Sequence, residues 1–244
     1  MTYCVALNLD AGLVFAADTR TNAGVDHIAS FRKLTVLVAT QERTVVVLNA
    51  GNLATTQSVL NLARRRQDEA GQHVGNHSCF YDIAGELGQT LREVIRQESE
   101  GQDCGSGIDF GASLIVGGQI AGDIPRLFHV YPQGNFIESS PDTPYFQIGE
   151  AKYGKPILDR VITLATPLAE ALKCVLISFD STIRSNLSVG LPIDTLVLPR
   201  DSRQPVQQRI DAEQPYYRQL RRQWGEGLRR VFGELDDADW MRGL

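Results

Sequence analysis

Residues 2–18 read TYCVALNLDAGLVFAAD, and this stretch decides the architecture. Two apolar runs, Tyr3 to Leu9 and Leu13 to Asp18, flank Asp10-Ala11-Gly12. Asp and Gly suit a tight reversal, because Gly accepts positive φ at no steric cost. The pattern predicts a β-hairpin whose open end carries Thr2 on one strand and Asp18 on the other. A second pair, KLTVLVAT and RTVVVLNAG, follows and closes on Gly51. Val, Leu and Thr dominate it, as buried strands require. Lys33 leads this pair after a polar loop, so it can return to the Thr2–Asp18 end.

Beyond Gly51 the apolar spacing changes to three and four. Leu53, Val59, Leu60 and Ala63 share one predicted helical face; Ile83, Leu87, Leu91, Val94 and Ile95 share another, capped at or before Asp82. Strand-like runs return in IDFGASLIVGGQI and PRLFHVYPQG, with Gly117-Gly118 expected to form the turn between them. YFQIGEAKYGKPILDRVITLA reads as the start of a helix that restarts at Pro156. TPLAEALKCVLISFDSTIRSN reads as a further helix, with Thr166 as cap, Pro167 in the first turn and CVLIS inside it. SVGLPIDTLVLPR is the closing strand. Segregated strands and helices point to an α+β fold of stacked layers. Periodicity leaves three layers or four open.

The division expected is one domain over residues 1–200 and a linker with a C-terminal helical extension over residues 201–244. There DSRQPVQQRIDAEQ reads as a polar linker and the rest as a helix. Tyr217, Leu220, Trp224, Leu228 and Val231 make its apolar stripe, and Arg218, Arg221, Arg222, Arg229 and Arg230 line its other faces. Such a helix docks on its own domain or on a neighbour.

Composition excludes several classes. Lys+Arg 24 against Asp+Glu 29 leaves a net charge of −5 over 244 residues, which offers nucleic acid no electrostatic attraction. No stretch has the length of a membrane span, and Asp10 arrives before any signal-peptide core. Cys4, Cys79, Cys104 and Cys174 form no CxxC pair, and a reducing cytoplasmic location is expected. His27, His73, His77 and His129 have no convincing ligand spacing, and no glycine-rich phosphate loop occurs, so neither metal nor cofactor is expected.

The hairpin end has chemical potential of its own. Removal of Met1, expected when the second residue is small, exposes an α-amine on Thr2. With a pKa near 8, a useful fraction of that amine is free base at neutral pH. It can take the proton of its own residue's hydroxyl, directly or through a water. Lys33, held charged by Asp18, would stabilise the developing negative charge. Gly51, lacking a side chain, would let a substrate approach a backbone N–H that serves as oxyanion donor.

With those residues in place, MTYCVALNLDAGLVFAADTRTNAGVDHIASFRK resembles the opening of the Anbu family of bacterial proteasome-related peptidases. That family is similar to proteasome β subunits and the HslV peptidase, all N-terminal nucleophile (Ntn) hydrolases. QIGEAKYGKPILDR and FDSTIRSNLSVGLPIDTLV extend the resemblance to about residue 198. It implies a four-layer αββα sandwich and a threonine peptidase that works through an acyl-enzyme. It further implies Thr2 as nucleophile, Asp18 orienting Lys33, Arg20 in a structural role, Gly51 at the oxyanion hole and Ser188 holding the terminal amine. Thr21 would pair with substrate backbone in a loop, TRTNAGVDHI, that shapes the specificity pocket.

Two positions depart from the β-subunit pattern. Ser185 stands where an aspartate is usual, and Glu150 stands where a serine is usual. Ser185 keeps a hydroxyl for a neutral hydrogen bond, and Glu150 could supply the missing negative charge. The resemblance implies a homo-oligomer, ring-like or open and helical, acting on peptide or protein substrates. The C-terminal helix could bridge its copies, and an unidentified adaptor or unfoldase could serve it. The competing readings are a catalytically silent proteasome-like assembly and an Ntn amidase acting on a non-standard peptide or small amide.

Overall fold

The computed structural model describes residues 2–22, 28–100, 107–202 and 204–241. In chain order its first strands are β1 (Tyr3–Leu9), β2 (Gly12–Asp18), β3 (Arg20–Asn22), β4 (Ile28–Ser30), β5 (Leu34–Ala39) and β6 (Arg43–Gly51). Helices α1 (Leu53–Arg66) and α2 (Phe80–Ser99) follow, then β7 (Ala112–Ile120), β8 (Arg126–Val130), β9 (Phe136–Glu138) and β10 (Tyr145–Gly149). Helices α3 (Lys155–Val161) and α4 (Leu168–Ser185), strands β11 (Ile193–Pro199) and β12 (Val206–Ile210), and helix α5 (Pro215–Glu234) come next, and a short 3-10 turn over Asp239–Met241 ends the order among the described residues.

Side-chain alternation builds the layers. In β1, Tyr3, Val5, Leu7 and Leu9 face a cluster that includes Val175 and Phe179 of α4 and Tyr217 of α5. Cys4 and Ala6 face the opposite way, where Leu13, Phe15 and Ala17 of β2 meet Val46 and Leu48 of β6. On β6 the alternate residues Val45 and Val47 pack against Val59 of α1 and Leu87 and Leu91 of α2. These three apolar zones are the three contacts of a four-layer helix–sheet–sheet–helix sandwich. One antiparallel sheet runs β10-β1-β2-β11-β12, the other β5-β6-β7-β8-β9, with β3-β4 a separate ribbon. Each fully buried Val, Leu, Ile or Phe contributes about 1.5–3 kcal/mol of transfer free energy, so both faces of each sheet are needed to hold the stack.

Several local expectations are corrected. Gly117 and Gly118 lie inside β7 and do not turn it into β8; the reversal falls at residues 121–125. A Cβ on Gly117 would sit 2.9 Å from Phe15 Cζ and 2.7 Å from Leu127 Cδ1. The glycine is there so that Phe15 of the facing sheet can nest against the strand. YFQIG is strand β10, paired along β1, and not a helix start. The segment read as a linker contains β12, paired with β11 from Ile193↔Ile210 to Val197↔Val206. Neither expected side-chain cap forms. Cys79 precedes α2 and donates its thiol to Asp82 Oδ2, while Thr166 accepts from Thr163 N ahead of α4. Helix α5 docks on its own domain through Tyr217 and Leu220, while Leu228, Val231 and Phe232 farther along it are exposed. No helix among the described residues is long and apolar enough to cross a membrane.

Candidate active site

The register places four strand ends together. Tyr3 lies opposite Gly149 of β10, and Asp18 lies opposite Ile193 of β11. The start of β1, the end of β2, the end of β10 and the start of β11 therefore share one edge of the first sheet. From the second sheet, Lys33 immediately precedes β5, and its carbonyl accepts from Asn49 N at 3.0 Å. Asn49 in turn accepts the Cys4 thiol, 3.5 Å away, which ties the starts of β1 and β5 to the end of β6.

Asp18 is the hub. Its Oδ1 accepts from Lys33 Nζ at 2.7 Å and from the Tyr3 backbone N–H at 3.0 Å. The lysine is thus fixed one residue from Thr2. Lys33 Nζ also donates to the Arg20 carbonyl at 2.5 Å, and Gly190 N approaches Asp18 Oδ2 at 3.4 Å. Asp18 is fully buried and Lys33 is 4% exposed. Burial pushes the Asp18 carboxyl up, against the pull of Lys33 and the Tyr3 and Gly190 N–H groups. The thiol of Cys4 neighbours this pair. Burial raises it well above the ordinary thiol value, against the pull of Lys33, and it stays protonated and inert.

The backbone clamps Thr2 as well. Its carbonyl accepts from Glu150 N at 2.6 Å, across from Gly149. Gly149 has φ of +84°, and a Cβ there would lie 1.9 Å from the Thr2 carbonyl oxygen, so only glycine lets the two chains close. Glu150 Oε2 accepts from Asn186 Nδ2 at 2.8 Å, and Asn186 Oδ1 accepts from Ser188 N at 2.9 Å. Ser188 therefore reaches Glu150 through Asn186, a residue for which the sequence carried no more signal than an Asn following a helix. Arg20 donates to the Leu187 carbonyl at 2.9 Å and lies against Gly190, tying the loop before β11 to β3.

The remaining expected residues stand farther out. Gly51 is exposed at the end of β6, two residues past Asn49, with φ of +110°. A Cβ there would lie 2.4 Å from the Gly111 carbonyl. Ser185 is exposed as the last residue of α4 and stands outside this chain of bonds. Thr21 Oγ1 is buried in β3 with no hydrogen-bond partner among the described residues. Met1, residues 23–27 of the expected specificity loop, with His27, and Cys104 lie outside the described residues. Among the described residues, no three His, Cys, Asp or Glu side chains are grouped as metal ligands.

A lysine held by a buried carboxylate that also grips the first residue of β1 can stabilise negative charge on an oxygen of the residue just before that strand. The family profile described as "Proteasome subunit" matches residues 2–191. Three solved structures are similar over nearly the whole chain. Anbu (ancestral beta-subunit) from Yersinia bercovieri is 54% identical with a TM-score of 0.92, covering 98% of this chain and 100% of that one. The structure described as a helical assembly of the Anbu complex from Pseudomonas aeruginosa is 51% identical with a TM-score of 0.93, covering 97% and 98%. A Gly-1 mutant of Anbu from Hyphomicrobium sp. strain MC1 is 46% identical with a TM-score of 0.91, covering 98% and 100%. None of the curated proteins compared with the chain matches it. The four layers are those of the N-terminal nucleophile hydrolases. The chain belongs to the proteasome subunit family, within its Anbu branch.

Proposed function

We propose that the chain is a threonine-type peptidase that acts, after loss of Met1, through an acyl-enzyme on Thr2. The observation that carries this reading is the shared Asp18 oxygen, which holds Lys33 Nζ at 2.7 Å and the Tyr3 N–H at 3.0 Å. The Thr2 α-amine takes the proton of the Thr2 hydroxyl, directly or through a water, and the oxygen attacks the carbonyl carbon of the scissile amide. Lys33 favours the ionised oxygen, and the backbone N–H at Gly51 receives the oxyanion. The protonated amine passes its proton to the leaving nitrogen as the C–N bond breaks, which leaves an ester on Thr2. A water, deprotonated by the same amine, attacks that ester, and the acid leaves as the Thr2 hydroxyl re-forms.

The working unit in this proposal is a homo-oligomer, ring-like or open and helical. The relative from Pseudomonas aeruginosa, described as a helical assembly, supports that part. Peptides or unfolded proteins are the proposed substrates, with any adaptor or unfoldase a separate chain. The exposed Ser185, in the place of an aspartate, favours the catalytically silent assembly as the second reading.

Intact-mass spectrometry of the purified protein, with and without a tripeptide epoxyketone, tests the proposal. This electrophile captures a hydroxyl and an amine on the same residue. The expected result is a chain lacking Met1 that takes up one adduct on Thr2. Thr2→Ala abolishes the adduct, and Lys33→Met slows it by about 10²–10⁴-fold. A fully processed chain that takes no adduct leaves the silent assembly standing. Cleavage profiles on peptides and simple amides then separate peptidase from amidase.

A further inference from the structure

Glu150 is a buried carboxylate without a visible cation. It is 7% exposed, and among the described residues its oxygens accept from neutral donors, Asn186 Nδ2 at 2.8 Å and the Lys152 backbone N–H at 3.2 Å. The basic groups around it are otherwise placed. Lys33 is paired with Asp18, Arg20 holds the Leu187 carbonyl, and Arg184 of α4 is paired with Asp180 at 3.1 Å. The Lys152 side chain is exposed, and no salt bridge joins any of them to Glu150 among the described residues. Buried carboxylates are rarely left with hydrogen bonds alone, since desolvation costs several kcal/mol per ion. The residue whose backbone Glu150 grips, at 2.6 Å, is Thr2. Once Met1 is gone, Thr2 carries an ammonium group at that same edge.

We infer that Glu150 is the counter-ion of the Thr2 α-amine and that Asn186 is a positioning residue, its amide holding the Glu150 carboxylate on one side and the Ser188 backbone on the other. This deepens the proposed peptidase reading and rests on its processed N-terminus. Asn suits position 186 because a carboxamide combines a donor group with an acceptor: Nδ2 donates to Glu150, and Oδ1 accepts from the Ser188 N–H at 2.9 Å. An aspartate there would set a second carboxylate against the first. The anion that the usual aspartate at position 185 would supply has thus moved across the site to the end of β10. Asp18 is the other anion at this edge, and Lys33 already engages it.

The test reads the amine itself, independently of turnover. Periodate cleaves a 1,2-amino alcohol through its free amine, so the rate at which an N-terminal Thr2 is oxidised, followed by intact mass, reports the free-base fraction at each pH. Wild type, Glu150→Gln and Asn186→Ala are compared over the same pH series, and the unmodified chemistry cancels between them. Removing an opposite charge lowers an amine's pKa. The half-maximal pH is expected to fall by about 1 unit in Glu150→Gln and by a smaller amount in Asn186→Ala. A purely structural role would lower the melting temperature and leave these profiles superimposed, and superposition overturns the inference. If Asn186→Ala fails to fold, Glu150→Gln, which keeps an acceptor for Asn186, decides alone. Failure of the peptidase reading looks different: the profiles shift but the epoxyketone leaves wild type unmodified. A chain that keeps Met1 and resists periodate overturns both.

Discussion

At the scale of single residues, the site depends on an ion pair that is buried at both ends. Burial holds the Asp18 carboxyl above its ordinary value. The folded chain therefore keeps the Asp18 proton to higher pH than the unfolded chain does. The stability this group contributes is full below the ordinary carboxylate value of about 3.9 and is lost as pH rises through the folded value. Asp18→Asn removes that dependence, so the melting-temperature gap between wild type and variant should move against wild type as pH rises from about 4 toward neutral. A constant gap would place the Asp18 carboxyl at its unfolded value. Thr2, Asp18 and Lys33 were legible in the sequence, because one hairpin and one strand start bring them to a common edge. Asn186 was not, because an Asn after a helix is an ordinary cap residue and its partner Glu150 is distant in the chain.

At the scale of elements, what escaped the sequence has a physical pattern. β12 is exposed over Val206 to Arg209 and buried only at Ile210, so it shows no apolar alternation, and its only signal is the partner strand it completes. β10 was hidden by the helical KPILDRV that follows it; its role came from pairing with β1, a contact across about 140 residues. Gly117 looked like a turn because glycine commonly marks one, whereas here it makes room for Phe15. Gly117→Val should therefore cost about 1–3 kcal/mol by overpacking the gap between the sheets, read from the urea midpoint at unchanged slope. In α5, Tyr217 is fully buried and its hydroxyl has no hydrogen-bond partner among the described residues. Tyr217→Phe is expected to be neutral or stabilising by about 1 kcal/mol, whereas Tyr217→Ala should cost about 3–5 kcal/mol. A large loss in the Phe variant would mean that the hydroxyl is satisfied in solution.

At the scale of the whole molecule, α5 has two halves with different duties. Tyr217 and Leu220 close the helical layer over the first sheet, and Arg221 reaches Asp180 of α4 at 2.5 Å. Past Gly225 the helix exposes Leu228, Val231 and Phe232, with Leu235 and Trp240 beyond it. Ending the chain after Gly225 should therefore spare the fold and its melting temperature. If the outer half joins copies, light scattering should show a smaller assembly; an unchanged particle would assign the joining surface elsewhere. The placement of β1 has a practical corollary. It is an interior strand, hydrogen-bonded on both sides by β10 and β2. A purification tag or fluorescent fusion attached ahead of Thr2 would be anchored beside the buried Asp18–Lys33 pair, whereas the far end of α5, where Phe232 is exposed, carries a handle into solvent.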